Sequence, residues 1–322
     1  MAKKESYKEL KKIDINGTEQ WISIRGKSLD NPLLLFLHGG PGGSEMATAY
    51  THYGKSELEK NFIVVNWDQR GSGKSYDKNI DPNTMTIEQL VNDGLEVTKI
   101  LLREFGKSKI YLVGHSWGSI LGMKMIARDS GLFYSYIGIS QLVNMSLSEQ
   151  RSLDISIDLA HKLKNKKAIQ ELQALKDFDS DKENFLRYMD VHRSWLAKLG
   201  GLYYSGKRIH PNMLFIGALF SPEYKISDVV KLKNGLVFSV KNMWAEIMNI
   251  DLLNENWEFD IPIYFICGKA DNISHPQLIE EYYNKIKSPG KELVEFEYSG
   301  HSPHFDEWEK YEKTVIRLLL KG

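Results

Sequence analysis

The sequence predicts an α/β protein, a parallel sheet covered by helices and interrupted by a helical insertion, and three observations predict it. Short apolar runs without polar alternation, such as LLLFL, FIVVNW and KIYLVG, suit strands buried on both faces. Stretches with helical spacing separate these runs, the alternation from which parallel sheets are built. From about Met145 to Asn256 the strand signal disappears, then resumes, so two flanks of one architecture surround a helical stretch.

The elements follow in order. LLLFLHG and FIVVNWD read as the first two strands. IEQLVNDGLEVTKILLREFG carries apolar residues at Ile87, Leu90, Val91, Leu95, Ile100 and Leu101 and closes on Gly106, which makes it an amphipathic helix with a glycine stop. KIYLVGH is a strand, SILGMKMIARD a helix and YSYIGIS a further strand. In the insertion, LSEQRSLDISIDLAHKLKN and DKENFLRYMDVHRSWLAKLGG have helical spacing, the second stopping at Gly200 and Gly201. IPIYFICG and ELVEFEYSG complete the strands, and WEKYEKTVIRLLLKG closes the chain as a helix. The expected division is a first core segment, 1–144, a helical segment, 145–256, and a second core segment, 257–322.

Composition narrows the function classes. Lys+Arg and Asp+Glu both total 42, and a zero net charge supplies no field to gather nucleic acid or anionic lipid. The expected partner is a small molecule or short peptide, with neither nucleic acid nor membrane. MAKKESYKELKK leads into no apolar signal region, and runs such as LLLFL are far shorter than the roughly 20 residues that span a bilayer, so a soluble, cytoplasmic protein is expected. The single cysteine, Cys267, lies in the strand-like IYFICG and reads as a buried residue. Nine histidines show no HExxH pattern, and His301 with His304 is too sparse a pair to ligate a metal; neither metal nor cofactor is expected. WDQRGSGKS ends like a phosphate loop, but the place of its first glycine holds Asp68. Asp68 and Arg70 instead read as ties within their loop, through a salt bridge or backbone hydrogen bonds.

The chemistry centres on Ser116. Gly114, Ser116 and Gly118 form GxSxG where a strand ends and a helix begins, the placement of a nucleophile held on a strained turn, with small residues letting strand and helix pass closely. A serine hydroxyl is a weak nucleophile and needs a base, itself fixed by a third group. In this class of sheet the chain order is serine, acid, histidine. His301, after the last strand, is the expected base and His304, at the start of the closing helix, the runner-up; His115 reads as a packing residue. Asp271, in the loop after IYFICG, is the expected acid. The loop after YSYIGIS offers no carboxylate before Glu149, and Asp260 precedes its strand. LFLHGGPGG lets the backbone approach a substrate, so the N–H groups of Gly40 and Trp117 are the expected donors to a developing oxyanion.

Together HGGPGG, WDQRGSGKS, GHSWGS, GKADNISHP and SGHSP, in this order, resemble the α/β-hydrolase superfamily and within it the proline iminopeptidase-like branch. The likeness covers roughly residues 20 to 142 and 258 to 320. It implies an eight-stranded, mostly parallel sheet with a helical cap after the sixth strand, the triad Ser116, Asp271 and His301, and an aminopeptidase releasing an N-terminal residue, proline favoured. Family elbows commonly read Gly-Gly-Ser-Trp-Gly, whereas this chain has His115 before the serine. Family caps also hold the substrate amine with carboxylates, in motifs without a clean match here. Trp195, Tyr203, Tyr204, Trp244 and Glu246 are the candidate substrate contacts, Glu246 as partner of the ammonium. Alternatives are a carboxylesterase or lactonase on the same triad and a non-catalytic binding protein on the same fold.

Overall fold

A computed structural model describes residues 6–176, 182–202, 204, 213–255 and 258–320. Its eight strands are β1 (Tyr7–Ile15), β2 (Thr18–Gly26), β3 (Leu33–Leu37), β4 (Ile63–Asp68), β5 (Ile110–His115), β6 (Phe133–Ile139), β7 (Ile263–Gly268) and β8 (Lys291–Phe296). They form one sheet in the order β1-β2-β4-β3-β5-β6-β7-β8. Only the β1–β2 and β2–β4 pairings are antiparallel. All pairings from β4 to β8 are parallel, so the carboxyl ends of β3, β5, β7 and β8 share one rim.

Sequence explains why the sheet is covered on both sides. Along β3, Leu33, Leu35 and Leu37 enter one apolar layer while Leu34 and Phe36 enter the other. The same two-residue period places Phe265 and Cys267 of β7 opposite Ile266. Each such side chain contributes about 1.5 to 3 kcal/mol on burial, which fixes the register, since a slip of one residue exchanges the faces. The helices Ile87–Phe105 and Trp117–Arg128 pack on the first face, and Trp308–Leu319 on the second. The first ends as its glycine predicts, with Gly106 left-handed at φ 61° and donating to Leu102 O.

The hairpin β1–β2 is a finding that the sequence reading left unassigned. Its turn is Asn16-Gly17, with φ of 49° and 76°, the pair of positive angles that a two-residue hairpin needs. β1 alternates exposed and half-buried residues as a sheet edge, without a continuous apolar run to announce it.

Between β6 and β7 lie the helices Met145–Lys162, Lys166–Gln173, Lys182–Lys198, Met213–Ala218 and Ile226–Ile247. The insertion leaves and rejoins the sheet side by side, through an Asn144–Asp251 bridge. Buried polar contacts join it to the β4 loop: Lys74 Nζ lies 2.6 Å from Asp228, and the Tyr224 hydroxyl donates to Asp68 Oδ2 at 2.6 Å. Among the described residues no helix is long and apolar enough to cross a membrane.

Candidate active site

Ser116 stands between β5 and the helix Trp117–Arg128 with φ 54° and ψ −120°, a strained conformation for a residue with a Cβ, costing about 1 to 3 kcal/mol. The turn holds it there: Ser116 N–H donates to Ile139 O at 3.0 Å, and Ser119 N–H donates to Ser116 O at 2.8 Å. The flanking glycines are obligatory. A Cβ on Gly118 would sit 2.2 Å from Leu37 O, and one on Gly114 would sit 2.3 Å from Gly118 O. Strand and helix therefore cross in backbone contact, and the serine hydroxyl is raised above the rim.

Three loops converge on it. His301, after β8, places Nε2 2.9 Å from Ser116 Oγ, and its Nδ1 lies 3.0 Å from both oxygens of Asp271, after β7. Asp271 is 2 % exposed. Its Oδ1 accepts from the N–H groups of Ile273 and Ser274 at 2.8 and 3.0 Å, and its Oδ2 accepts from the Ser274 hydroxyl. Burial alone would raise its pKa; the His301 charge and these donors outweigh it and hold the carboxyl well below the usual range. An ionised Asp271 keeps the proton on Nδ1 and leaves Nε2 free to accept from the serine.

His304, the runner-up base, sits in a short helix, Pro303–Asp306. It is buried, its ring is T-shaped against His115 at 4.4 Å, and its Nε2 is 3.8 Å from Glu45 Oε2. His115 bonds through Nε2 to His301 O at 2.9 Å, and burial, then the charges of His304 and His301, hold its pKa well below normal. A neutral ring donating to that carbonyl supports the His301 loop. Asp260 is exposed before β7, at the far end from the rim.

The loop after β3 lies against the serine: a Cβ on Gly39 would meet Ser116 Cβ at 3.3 Å. Gly40, with φ 126°, and Trp117, the first residue of its helix, line one cavity with Ser116 and His301. WDQRGSGKS braces this loop in a way the sequence reading did not find. Gln69 Oε1 accepts from the Trp117 indole at 2.9 Å, its amide donates to His38 O at 3.2 Å, and its backbone N–H donates to His38 Nε2 at 3.2 Å. Burial lowers the His38 pKa to about 4, so the neutral ring carries its proton on Nδ1 and donates it to Gly39 O at 2.8 Å. The structural reading of Asp68 and Arg70 stands with other partners. Asp68 accepts from Lys74 N–H at 2.8 Å, whereas Arg70 pairs with Asp93 at 2.7 Å and not with Asp68.

The cavity above Ser116 measures about 470 Å³. Of the candidate substrate contacts among the described residues only Trp244 lines it. The Trp195 indole donates to Glu171 at 2.7 Å, tying two insertion helices together. Tyr204 is exposed and packs edge-on against Tyr298. Glu246 is corrected: it is exposed, and its carboxylate accepts from Ile87 N–H at 2.9 Å, satisfying the first turn of another helix. Tyr203 lies outside the described residues. The walls are instead built by Leu142, Met145, Met189, Ile247, Ile273 and Phe305, with Glu45, Glu149 and Arg193 as their charged members. Helical periodicity marks such residues as core; only the packing of insertion on sheet turns them toward a cavity. Among the described residues no group of three or more His, Cys, Asp or Glu side chains is arranged to hold a metal ion.

With this sheet, insertion and serine turn on one rim, the chain belongs to the alpha/beta hydrolase fold family, whose model matches residues 32–307, and it is a hydrolase. It is 34 % identical to the probable aminopeptidase YbaC of Bacillus subtilis (strain 168), over 98 % of each chain. It is 24 % identical to a proline iminopeptidase of Heyndrickxia coagulans, covering 95 % of this chain and 97 % of that one. Among solved structures, a proline iminopeptidase-related protein from Thermus thermophilus superposes with a TM-score of 0.64 at 20 % identity, over 98 % of both chains, a likeness of fold.

Proposed function

We propose that the chain is a serine hydrolase working through an acyl-enzyme, and an aminopeptidase of the proline iminopeptidase kind. The observation that carries the first part is the unbroken chain of contacts from Ser116 Oγ through His301 to Asp271 at the floor of a cavity. Ser116 Oγ attacks the acyl carbon while His301 Nε2 takes its proton. The N–H groups of Gly40 and Trp117 stabilise the oxyanion, each worth roughly 3 to 4 kcal/mol in comparable sites. His301 then protonates the leaving group, and a water activated by the same nitrogen releases the acyl group. In this reading residues 145–256 act as a cap on a core made of 1–144 and 257–322, and the cap restricts the site to small substrates.

The aminopeptidase part is supported by full-length similarity to a probable aminopeptidase and to a proline iminopeptidase. Glu45, which follows the Gly40 loop and lines the cavity with its side chain 16 % exposed, takes the place intended for Glu246 as counter-charge to the substrate ammonium. The test is a fluorophosphonate probe, expected to label the parent and not Ser116→Ala, followed by prolyl, alanyl and leucyl arylamides beside p-nitrophenyl esters. Hydrolysis of esters without any arylamide transfers the assignment to the esterase reading. An unlabelled parent ends both.

A further inference from the structure

The proposed reaction uses one end of a peptide, yet the cavity carries a built cationic group that this reaction leaves without a role. Arg193, on the helix Lys182–Lys198, lines the cavity with 24 % of its side chain exposed. Behind it Glu149, on the helix Met145–Lys162, is 6 % exposed and accepts from Arg193 Nη2. Glu149 Oε2 has no accessible surface and lies 3.5 Å from His192 Nδ1, so this oxygen is turned away from the cavity while the carboxylate fixes the guanidinium. Nη1 makes only long contacts of 3.4 Å, to Ser152 Oγ and to His192 Nδ1. His192 is buried, burial lowers its pKa against the opposing Glu149 contact, and its Nδ1 lies between Arg193 Nη1 at 3.4 Å and Glu149 Oε2 at 3.5 Å. A guanidinium has five N–H donors in a planar fork, and these three contacts of Arg193 engage at most three of them on a side chain that lines the cavity.

The only charged groups in that wall with appreciable exposure, among the described residues, are therefore Arg193 and, from the Gly40 loop, Glu45. They come from different segments of the chain, one from the insertion and one from the loop after β3. A volume of about 470 Å³, taken as a cube, is roughly 8 Å on an edge, close to two extended residues at about 3.5 Å each. We propose that Arg193 recognises the free C-terminal carboxylate of the leaving residue, so that the substrates are zwitterionic dipeptides rather than the ends of long chains. The inference rests on the aminopeptidase reading and deepens it.

The experiment compares kcat/KM for Pro-Ala and Pro-Ala-amide, which differ only in the terminal charge. The parent is expected to prefer the free carboxylate by about 10- to 100-fold, the range of a charge-assisted bidentate hydrogen bond. Removing Arg193 alone strands the buried Glu149 charge, so the informative variant is Glu149→Gln with Arg193→Gln, in which the preference is expected to fall to about one. Arg193→Lys, which keeps the charge without the fork, is expected to retain part of it. A parent that cleaves both peptides equally, or a double variant with an unchanged ratio, overturns the inference and leaves the aminopeptidase reading standing. If neither peptide is cleaved but p-nitrophenyl esters are, the aminopeptidase reading falls. The comparison then moves to esters whose acyl chains end in carboxylate or carboxamide, and a ratio near one there overturns the role of Arg193 as well.

Discussion

Replacing Asp271 by Asn tests the proposed mechanism with almost no change of shape, because the consequences follow from the donors around this side chain. Oδ1 is held by the N–H groups of Ile273 and Ser274, neither of which can turn into an acceptor. The Asn oxygen must therefore occupy that position, and the amide nitrogen takes the place of Oδ2. The Ser274 hydroxyl rotates to accept one amide hydrogen. The other points at His301 Nδ1, 3.0 Å from that position, and favours the tautomer in which Nδ1 accepts, since the Asn oxygen, also 3.0 Å away, already takes two backbone N–H groups. The ring proton then moves to Nε2, which is 2.9 Å from Ser116 Oγ and no longer able to take its proton. Loss of the correct tautomer in comparable triads lowers kcat about 10⁴-fold, equivalent to about 5.5 kcal/mol at 1.36 kcal/mol per tenfold. The assay is single-turnover hydrolysis of a p-nitrophenyl ester by parent and Asp271→Asn, with melting curves to show that the variant is folded. A folded variant within tenfold of the parent would refute the assignment of Asp271 as the group that sets the His301 tautomer.

Two further outcomes follow from packing and charge. Gly118→Ala drives a Cβ to 2.2 Å from Leu37 O, backbone that has nowhere to go, and should cost about 3 kcal/mol or more in urea unfolding; Gly106→Ala, with nothing within 4 Å of its Cβ, should cost only about 1 kcal/mol for its left-handed φ. Asp68 supplies a pH signature, since burial raises its pKa from 3.8 to about 6 against the opposing donors Ser44, Tyr224 and Lys74. The folded state keeps this proton to higher pH than the unfolded chain, so its contribution to stability is full below about 3.8 and is lost as pH rises through about 6. Asp68→Asn removes that loss and should gain about 2 to 3 kcal/mol on the parent between about pH 4 and pH 7. Unfolding midpoints that track each other across this range would show that Asp68 is ionised at both ends.

Much of the chemistry was legible in the chain because it is local. The strain at Ser116 is a property of one turn, and the clashes that awaited any side chain at Gly114 or Gly118 made glycine compulsory there. Asp271 and His301 come together because each follows a strand of a parallel sheet, where carboxyl ends must share a rim. The edge hairpin was missed although Asn16-Gly17 names its turn, because half-exposed β1 lacks the unbroken apolar run of the buried strands. Glu246 and Trp195 were misplaced for another reason. Both lie on helices whose polar and aromatic groups serve equally to line a cavity or to tie helix to helix, and the spacing that makes a helix is blind to that choice.

What the sequence determined by itself is the fold class, the serine turn and the order of its partners, since backbone sterics and two-residue periodicity act between near neighbours. Tertiary structure alone decided which residues face the cavity. The positions of Glu45 and Arg193 in one wall depend on how the insertion settles over the rim, a packing of distant surfaces that no local pattern encodes.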